Sequence, residues 1–266
     1  MNFYITILGS GAATPTLLRH CCSQVVNIGG SKLLIDCGEG TQYQVRCYRQ
    51  KLQSLSTIFI SHMHGDHFFG LPGILSTMHL CGRTEPVDVF GPAGIEAAIM
   101  ALMTASGHNI DYELRFHELD FDSGLQLIAD TKNYTAWAFP LIHSVPTYGF
   151  RITEKQRSRS GPRTMVYCCD TLCSDTLIPY IEGANLLTID STFGQEFTAV
   201  AEEKQHGTAT AAARLAAQAG VGQLLLTHIS ARYRDPQILL DQATPIFANT
   251  IIASDGMVIE IPRNKV

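Results

Sequence analysis

Three histidines and one aspartate occur within six consecutive residues, in the stretch His62-Met63-His64-Gly65-Asp66-His67. The whole chain of 266 residues contains only ten histidines. Imidazoles and carboxylates that are crowded together in a fold need a shared partner, because an unpaired polar group is costly to remove from water. This stretch therefore predicts a site where its side chains converge on a common ligand, and a metal ion is the ligand that suits these donors.

The spacing within this stretch predicts two ions rather than one. His62 and His64 are two residues apart, so on an extended backbone their side chains point the same way. Gly65 allows a sharp turn before Asp66 and His67. The two pairs then face two different points, and each ion still needs further ligands.

Further ligands are predicted at the ends of apolar, strand-like runs. His143 follows WAFPLI, Asp170 follows MVYCC, and His228 follows QLLLT. A strand is rigid, so its end holds a side chain in a defined position. Two cations about 3.5 to 4 Å apart need a bridging carboxylate, and Asp170 is the natural candidate. Nitrogen and oxygen donors without thiolate favour zinc, with manganese, iron or cobalt as alternatives.

His206 differs from these ligands, because it precedes the alanine-rich segment 208–219 and does not end a strand. A neutral imidazole near physiological pH is the usual general acid or base, so proton transfer is its predicted role. The alternative is support of a helix N-terminus, although Thr208 is the better cap. Asp190, at the end of the run NLLTID, is the candidate to orient His206.

Strand patterns outnumber helical patterns along the chain. Helical patterns fall at 40–50, 72–80, 92–105, 174–181, 208–219 and 236–247, between short runs rich in β-branched and aromatic residues. This mixture predicts an α/β layered sandwich. There is no linker-like tract or fixed repeat, so a single domain over residues 1–266 is expected.

The net charge and the pattern after Met1 limit the classes of protein to which this chain can belong. The net charge of -5 argues against a protein that coats nucleic acid by bulk electrostatics. The densest basic stretch holds Lys155, Arg157, Arg159 and Arg163, and is interpreted as a solvated hairpin tip, with a substrate contact as the alternative. A strand-like pattern follows Met1 directly, and no apolar run reaches about 18 residues. A cytoplasmic protein without a membrane segment is expected.

The motifs described so far resemble the tRNase Z (ribonuclease Z) family of the metallo-β-lactamase superfamily. The resemblance rests on LGSGAATPT, LLIDCGEGTQYQ, HGDHFFGLPGIL, HSVPTYGFRI, VYCCDT, HGTATAAA and LLLTHISARY, in this order along the chain. It implies an αββα four-layer metallo-β-lactamase sandwich. It also implies a zinc-dependent endoribonuclease that removes 3′ trailers from precursor tRNA, as a homodimer, by hydroxide attack on phosphorus.

The resemblance further implies a role for each candidate residue. One ion would be bound by His62, His64 and His143, the other by Asp66, His67 and His228, with Asp170 bridging the two. Asp66 would also hold or deprotonate the nucleophile. His206 would protonate the departing 3′ oxygen.

Two departures from the family pattern leave the substrate open. Bacterial members carry an inserted arm of some tens of residues that grips the tRNA elbow, whereas here only TEKQRSRSGPRTM occupies that place. The family's HEAT signature is replaced by IDST, so Asp190 is one methylene shorter than the family's glutamate, which leaves open whether it reaches His206 directly or through a water or a backbone shift. The alternatives are a phosphodiesterase on small cyclic or linear phosphodiesters, and a catalytically weak RNA-binding relative.

Overall fold

The computed structural model describes residues 2–155 and 161–263, which divide into two compact units. The N-unit comprises Asn2–Asp120 with Ser254–Val258, and the C-unit comprises Phe121–Ala253 with the residues from Ile259 onward. Within the described ranges, no helix is long and apolar enough to cross a membrane. The single-domain organisation stays a prediction, since the division describes compactness and not independent folding.

The N-unit is built on a mixed seven-stranded sheet. The strands of this sheet are β1 (Phe3–Gly9), β2 (Ser23–Ile28), β3 (Ser31–Ile35), β4 (Leu55–Phe59), β5 (Val87–Pro92), β6 (Leu114–Leu119) and β14 (Val258–Glu260), of which only Val258 is assigned to the N-unit. The order is β14-β1-β2-β3-β4-β5-β6, antiparallel from β1 to β3 and parallel from β3 to β6. Its helices are α1 (Thr41–Cys47), α2 (Gly65–Phe68), α3 (Leu71–Leu80) and α4 (Ile95–Ala105). Apolar residues of strands and helices, such as Ile58, Ile74 and Ile99, share one buried core.

The C-unit repeats this plan with a second seven-stranded sheet. Its strands are β7 (Gln126–Asp130), β8 (Tyr134–Pro140), β9 (Tyr148–Glu154), β10 (Thr164–Cys168), β11 (Leu186–Asp190), β12 (Leu224–Thr227) and β13 (Thr250–Ile252). The order is β13-β12-β11-β10-β9-β8-β7, antiparallel from β7 to β10 and parallel from β10 to β13. Its helices are α5 (Ile178–Ile181), α6 (Thr198–Lys204), α7 (Ala209–Gln218) and α8 (Gln237–Ala243). Leu187 and Leu226 pack with Ala212 and Ala216 of α7 in its core.

The predicted α/β class is confirmed by these two mixed sheets with their helices. Each of the six predicted helical segments contains a helix, although 174–181 holds a 3-10 turn followed by the four-residue α5. Thr208 caps α7, because its hydroxyl accepts the Ala211 backbone N–H at 3.2 Å. The sequence patterns missed α2, α6 and β7. The strand β7 was missed because it is an edge strand whose side chains are all partly or fully exposed, so its apolar periodicity is weak.

An ion pair joins the two ends of the short β9–β10 connection. This connection is the place where the family's arm is expected to be missing. Glu154 and Arg163 are 1% and 2% exposed. Two guanidinium nitrogens of Arg163 donate to the two carboxylate oxygens of Glu154, each at 3.0 Å. The interpretation of Arg163 as part of a solvated tip is therefore wrong for this residue, while Arg157 and Arg159 lie outside the described residues. Lys155 forms an ion pair with Asp130.

We expect Glu154→Gln to lower the free energy of unfolding by about 3–5 kcal/mol, because it removes the buried counter-charge of the Arg163 guanidinium. The measurement is urea unfolding at neutral pH. The matched control is Glu260→Gln, which removes a carboxylate 3.5 Å from the same guanidinium but 80% exposed, so its expected cost is at most about 1 kcal/mol. Equal losses in the two variants would contradict a structural role for the buried pair.

The same pair predicts how stability depends on pH. Burial raises the pKa of Glu154, but the hydrogen bonds and charge of Arg163 outweigh burial and hold this pKa below its usual value. The stabilisation is therefore present above the pKa that Glu154 has in the unfolded chain, and is lost as the pH falls through the lowered pKa of the folded state.

Candidate metal centre

The strand ends deliver the candidate ligands as the sequence predicted. His62 follows β4, His143 follows β8, Asp170 follows β10 and His228 follows β12, each within three residues of the strand. All four side chains are nearly or fully buried. A polar side chain in such a position has a fixed orientation, because both its strand and the residues around it are packed.

In the N-unit, the two predicted ligand pairs lie side by side. His62 Nε2 is 3.0 Å from His64 Nδ1, and His67 Nε2 is 3.4 Å from Asp66 Oδ2. The rings of His62 and His67 have centroids 4.3 Å apart. Gly65 begins α2 and does not adopt a left-handed conformation. A Cβ at this position would lie 2.5 Å from the ring of the exposed Phe69, so a larger residue would require that ring to move.

A buried carboxylate orients two of these histidines. Asp36, fully buried after β3, accepts the His67 Nδ1 N–H at 2.8 Å and the Ser61 hydroxyl at 2.9 Å. Because the Ser61 hydroxyl donates to Asp36, it accepts from His62 Nδ1 at 3.0 Å. Both imidazoles therefore use Nδ1 within the protein and present Nε2 as a ligand atom.

In the C-unit, Asp170 lies between two histidines. Its Oδ2 is 3.8 Å from His143 Nε2 and its Oδ1 is 3.0 Å from His228 Nε2. One carboxylate oxygen thus faces each imidazole. His143 Nδ1 donates to the Gln205 carbonyl at 3.3 Å, so Nε2 is the nitrogen that His143 presents to Asp170.

A second buried carboxylate orients histidines of the C-unit in the same way. Asp190 accepts the His206 Nδ1 N–H at 2.7 Å and the Thr192 hydroxyl at 2.6 Å. The Thr192 hydroxyl in turn accepts from His228 Nδ1 at 2.8 Å. Each unit therefore has one buried carboxylate that accepts directly from one histidine. The same carboxylate accepts from a hydroxyl, and that hydroxyl accepts from a second histidine. The link between Asp190 and His206 is direct, so the shorter side chain needs neither a water nor a backbone shift to reach this histidine.

The interaction between His206 and Asp190 shifts the pKa values of both groups. Burial lowers the pKa of His206, but the charge and hydrogen bond of Asp190 outweigh burial and raise this pKa above its usual value. Burial alone would raise the pKa of Asp190, yet His206 and His228 hold it well below the usual range. His206 keeps 17% of its side chain exposed and is stacked on His228, with ring centroids 5.3 Å apart.

Gly207, which directly follows His206, lies against the backbone at the end of β11. A Cβ at Gly207 would lie 2.1 Å from the Asp190 carbonyl oxygen. No side chain fits at that distance without a backbone shift. A side chain at position 207 is thus excluded by the close approach of this backbone to the end of β11.

The donor set of the two units fits a divalent transition metal. In the C-unit, Asp170, Asp190, His206 and His228 each offer a ligand-type atom within 4.8 Å of the others, and Cys22, Asp36 and His67 do so in the N-unit. Asp36 and Asp190 are already engaged by hydroxyl and imidazole donors, so the remaining ligand-type atoms of these two groups belong to imidazoles, to Asp170 and to the Cys22 thiol. Neutral imidazole and carboxylate are preferred ligands of zinc and related ions.

Sequence reasoning missed three residues of these clusters. They are Asp36, Ser61 and Thr192. The signal for Asp36 was present, since it directly follows the run KLLI as the other candidates follow their runs. Nothing in the sequence marks Ser61 or Thr192, because their importance lies in tertiary hydrogen bonds.

Comparison with known proteins gives consistent matches. The profile of the family described as "Beta-lactamase superfamily domain" matches residues 31–229. The chain is 35% identical to a protein named Ribonuclease Z of Bacteroides fragilis over 303 aligned positions, covering 98% of this chain and 99% of that protein. It is 35% identical to one of Porphyromonas gingivalis over 302 positions, covering 97% and 99%. The crystal structure of human tRNase Z, short form, superposes with a TM-score of 0.83 at 31% identity, covering 97% and 99%.

The alignment lengths also bear on the missing arm. The alignment with the Bacteroides fragilis protein spans 303 positions, whereas this chain has 266 residues. That relative therefore carries residues that have no counterpart here, which agrees with the short β9–β10 connection of this chain.

Proposed function

This chain belongs to the ribonuclease Z family of the metallo-β-lactamase superfamily, and on that premise we propose that it removes 3′ trailers from precursor tRNA. The family resemblance and the metallo-β-lactamase fold class predicted from the sequence are both confirmed. The chain is a hydrolytic endoribonuclease of tRNase Z type. The observation that carries the substrate proposal is the family relation over nearly the full length, together with the oriented histidine clusters.

Family membership implies divalent metal binding, and we propose two zinc ions, with manganese as the alternative. The proposed ligands are His62, His64 and His143 for one ion, Asp66, His67 and His228 for the other, and Asp170 for both. The fixed Nε2 atoms of the hydrogen-bonded histidines support this assignment, since a metal-ligating histidine normally donates its second nitrogen to a protein acceptor. The two oxygens of Asp170, each facing one histidine, support the bridging role.

The proposed mechanism assigns a separate task to each acid and base. When bound, the divalent ions supply Lewis acidity toward the scissile phosphate and lower the pKa of a water. Asp66 Oδ2 is fixed by the Ala13 backbone N–H at 2.8 Å, and we assign it to hold the attacking water and accept its proton. His206 has Nδ1 committed to Asp190, which leaves Nε2 to donate a proton to the leaving 3′ oxygen.

We expect Thr192→Val to weaken divalent-ion affinity by about 10–100-fold, because His228 loses the acceptor that fixes its orientation. Thr192→Ser keeps the hydroxyl and should retain the affinity. The matched control is Thr188→Val on β11, the strand that ends two residues before Thr192, since Thr188 Oγ1 is buried without a hydrogen-bond partner among the described residues. The measurement is competition with a fluorescent zinc chelator. A loss of affinity in Thr188→Val equal to that in Thr192→Val would contradict the orienting role.

The experiment that tests the substrate is a parallel assay of zinc-loaded protein on a 3′-extended precursor tRNA and on bis(p-nitrophenyl) phosphate. Asp66→Asn is the blank. Trimming of the precursor at the end of the acceptor stem supports the proposal. The β9–β10 connection is too short for an elbow-gripping arm, so turnover of only the small diester would instead favour a phosphodiesterase on small substrates. A zinc-loaded protein inert toward both would favour the RNA-binding alternative. A cytoplasmic location and a homodimer stay predictions.

A further inference from the structure

An exposed arginine after β12 is held against two aromatic rings of the C-unit. The guanidinium carbon of Arg232 lies 4.9 Å from the centroid of the Phe193 ring and 4.3 Å from that of Phe197. Its Nε donates to the Ser230 hydroxyl at 3.2 Å. Cation–π contact and this hydrogen bond restrict a side chain that would otherwise sample many rotamers. We call Arg232, Phe193 and Phe197 the arginine platform.

The backbone beneath the arginine platform is held by a separate network. The Tyr233 hydroxyl accepts the Gly194 N–H and donates to Glu196 Oε1, both at 2.8 Å. Glu196 Oε2 accepts the Gln242 side-chain amide at 2.9 Å. The loop that carries Arg232 and the turn that carries both phenylalanines are therefore joined. The Glu196 carboxylate is occupied by these two donors.

The arginine platform lies beside the proposed general acid. The ring centroids of Phe193 and His206 are 6.1 Å apart in an edge-to-face arrangement. The Phe193 ring thus contacts both the Arg232 guanidinium and the His206 ring, which places Arg232 close to His206. Within residues 2–155 and 161–263, no carboxylate lies within 4.0 Å of this guanidinium. Its charge is thus held near the reaction site without a direct ion pair among these residues. The Glu196 carboxylate, which interacts electrostatically with Arg232, is engaged by Tyr233 and Gln242.

We propose that the arginine platform binds a backbone phosphate of the RNA substrate next to the scissile phosphate, on the side of His206. The inference rests on the proposed function, since it names a substrate group for the same site. A guanidinium presents a planar fork of donors that matches phosphate oxygens. Because the fork is already ordered by the two rings, little conformational freedom remains to be lost when RNA binds.

The test is the salt dependence of RNA binding. Labelled 3′-extended precursor tRNA is titrated by fluorescence anisotropy into metal-loaded protein in a His206→Ala background, which slows turnover, between about 50 and 200 mM salt. Arg232→Gln should raise the dissociation constant roughly tenfold or more and reduce the slope of log K against log salt by about 0.7 to 0.9, the value of one phosphate contact. Arg232→Lys keeps the charge but not the fork, so it should keep the slope and lose part of the affinity.

The matched control is Arg234→Gln, which removes the same charge from an exposed position two residues away. In the part of the chain that the structure describes, Arg234 stacks on no ring. Equal changes in the two glutamine variants would show a general surface-charge effect and overturn the inference, as would unchanged binding by Arg232→Gln.

The outcomes also separate this inference from the proposed function. If wild-type protein trims precursor tRNA and Arg232→Gln behaves as Arg234→Gln does, only the inference fails. If wild-type protein binds the RNA without cleaving it, the proposed function fails and the slope difference still decides the inference. If it neither binds nor cleaves RNA, both fail.

Discussion

An Asp170→Ala variant is expected to lose both divalent ions, and phosphodiester hydrolysis with them. The reason is the position of the carboxylate, whose two oxygens face His143 and His228 at 3.8 and 3.0 Å. Removal of the proposed bridging ligand would leave two cations without the negative charge that screens their repulsion. The measurement is zinc content per chain by mass spectrometry after loading and gel filtration. Activity on either substrate should fall to that of chelator-treated wild-type protein.

Two further variants make this result specific. His64→Ala removes a ligand proposed for one ion only, so it should reduce the zinc content by about one ion per chain. Asp175→Ala removes an exposed carboxylate from the segment that follows β10 and should leave the zinc content unchanged. The thermal unfolding of Asp170→Ala should match that of metal-free wild-type protein, which excludes general unfolding as the cause. Two ions per chain in Asp170→Ala would remove this residue from the bridge.

The positions of the candidate ligands could be predicted from the sequence because each follows an apolar strand. His143, Asp170 and His228 carry this signal individually, and the 62–67 stretch carries it as a group. Strand-end placement is a local property, since it depends only on where an apolar run stops. The α/β class could be predicted for the same reason, because short apolar runs and longer helical patterns are visible without tertiary information.

The residues that hold the ligands in place could not be predicted in this way. Ser61 and Thr192 each accept from an imidazole and donate to a buried carboxylate. These bonds join residues up to 36 positions apart, and serine and threonine are common in loops without such a role. The two carboxylates, Asp36 and Asp190, perform the same task in the two units, a correspondence that appears only once the chain is folded.

Charge patterns misled the interpretation of the β9–β10 connection. Four basic residues within nine positions suggested a solvated tip, yet Arg163 is buried in a bidentate pair with Glu154. The sequence shows the charge of a side chain but not its partner. Edge strand β7 was missed for a related reason, because a strand that is partly exposed on both faces has no period to detect.

His206→Ala is expected to reduce cleavage of precursor tRNA by about 10²–10⁴-fold, the usual contribution of a general acid, while the zinc content stays unchanged. The leaving group in RNA is an alkoxide that needs a proton in the transition state. The leaving group of bis(p-nitrophenyl) phosphate is a stabilised phenolate that needs none. The same variant should therefore hydrolyse the small diester at nearly the wild-type rate. The measurement is the ratio of kcat/KM for the two substrates, with zinc content determined on the same samples.

His117→Ala is the matched control for this variant, because His117 also pairs with a carboxylate, Asp88 at 2.9 Å, but has no proposed role in the reaction. It should leave both rates unchanged. Asp190→Asn should reproduce part of the His206→Ala loss on RNA, since the amide cannot stabilise the protonated imidazole as a carboxylate does. Equal losses on both substrates would show that His206 acts on a step that the two share and would contradict its role as the general acid. Loss of zinc from His206→Ala would place His206 among the metal ligands instead.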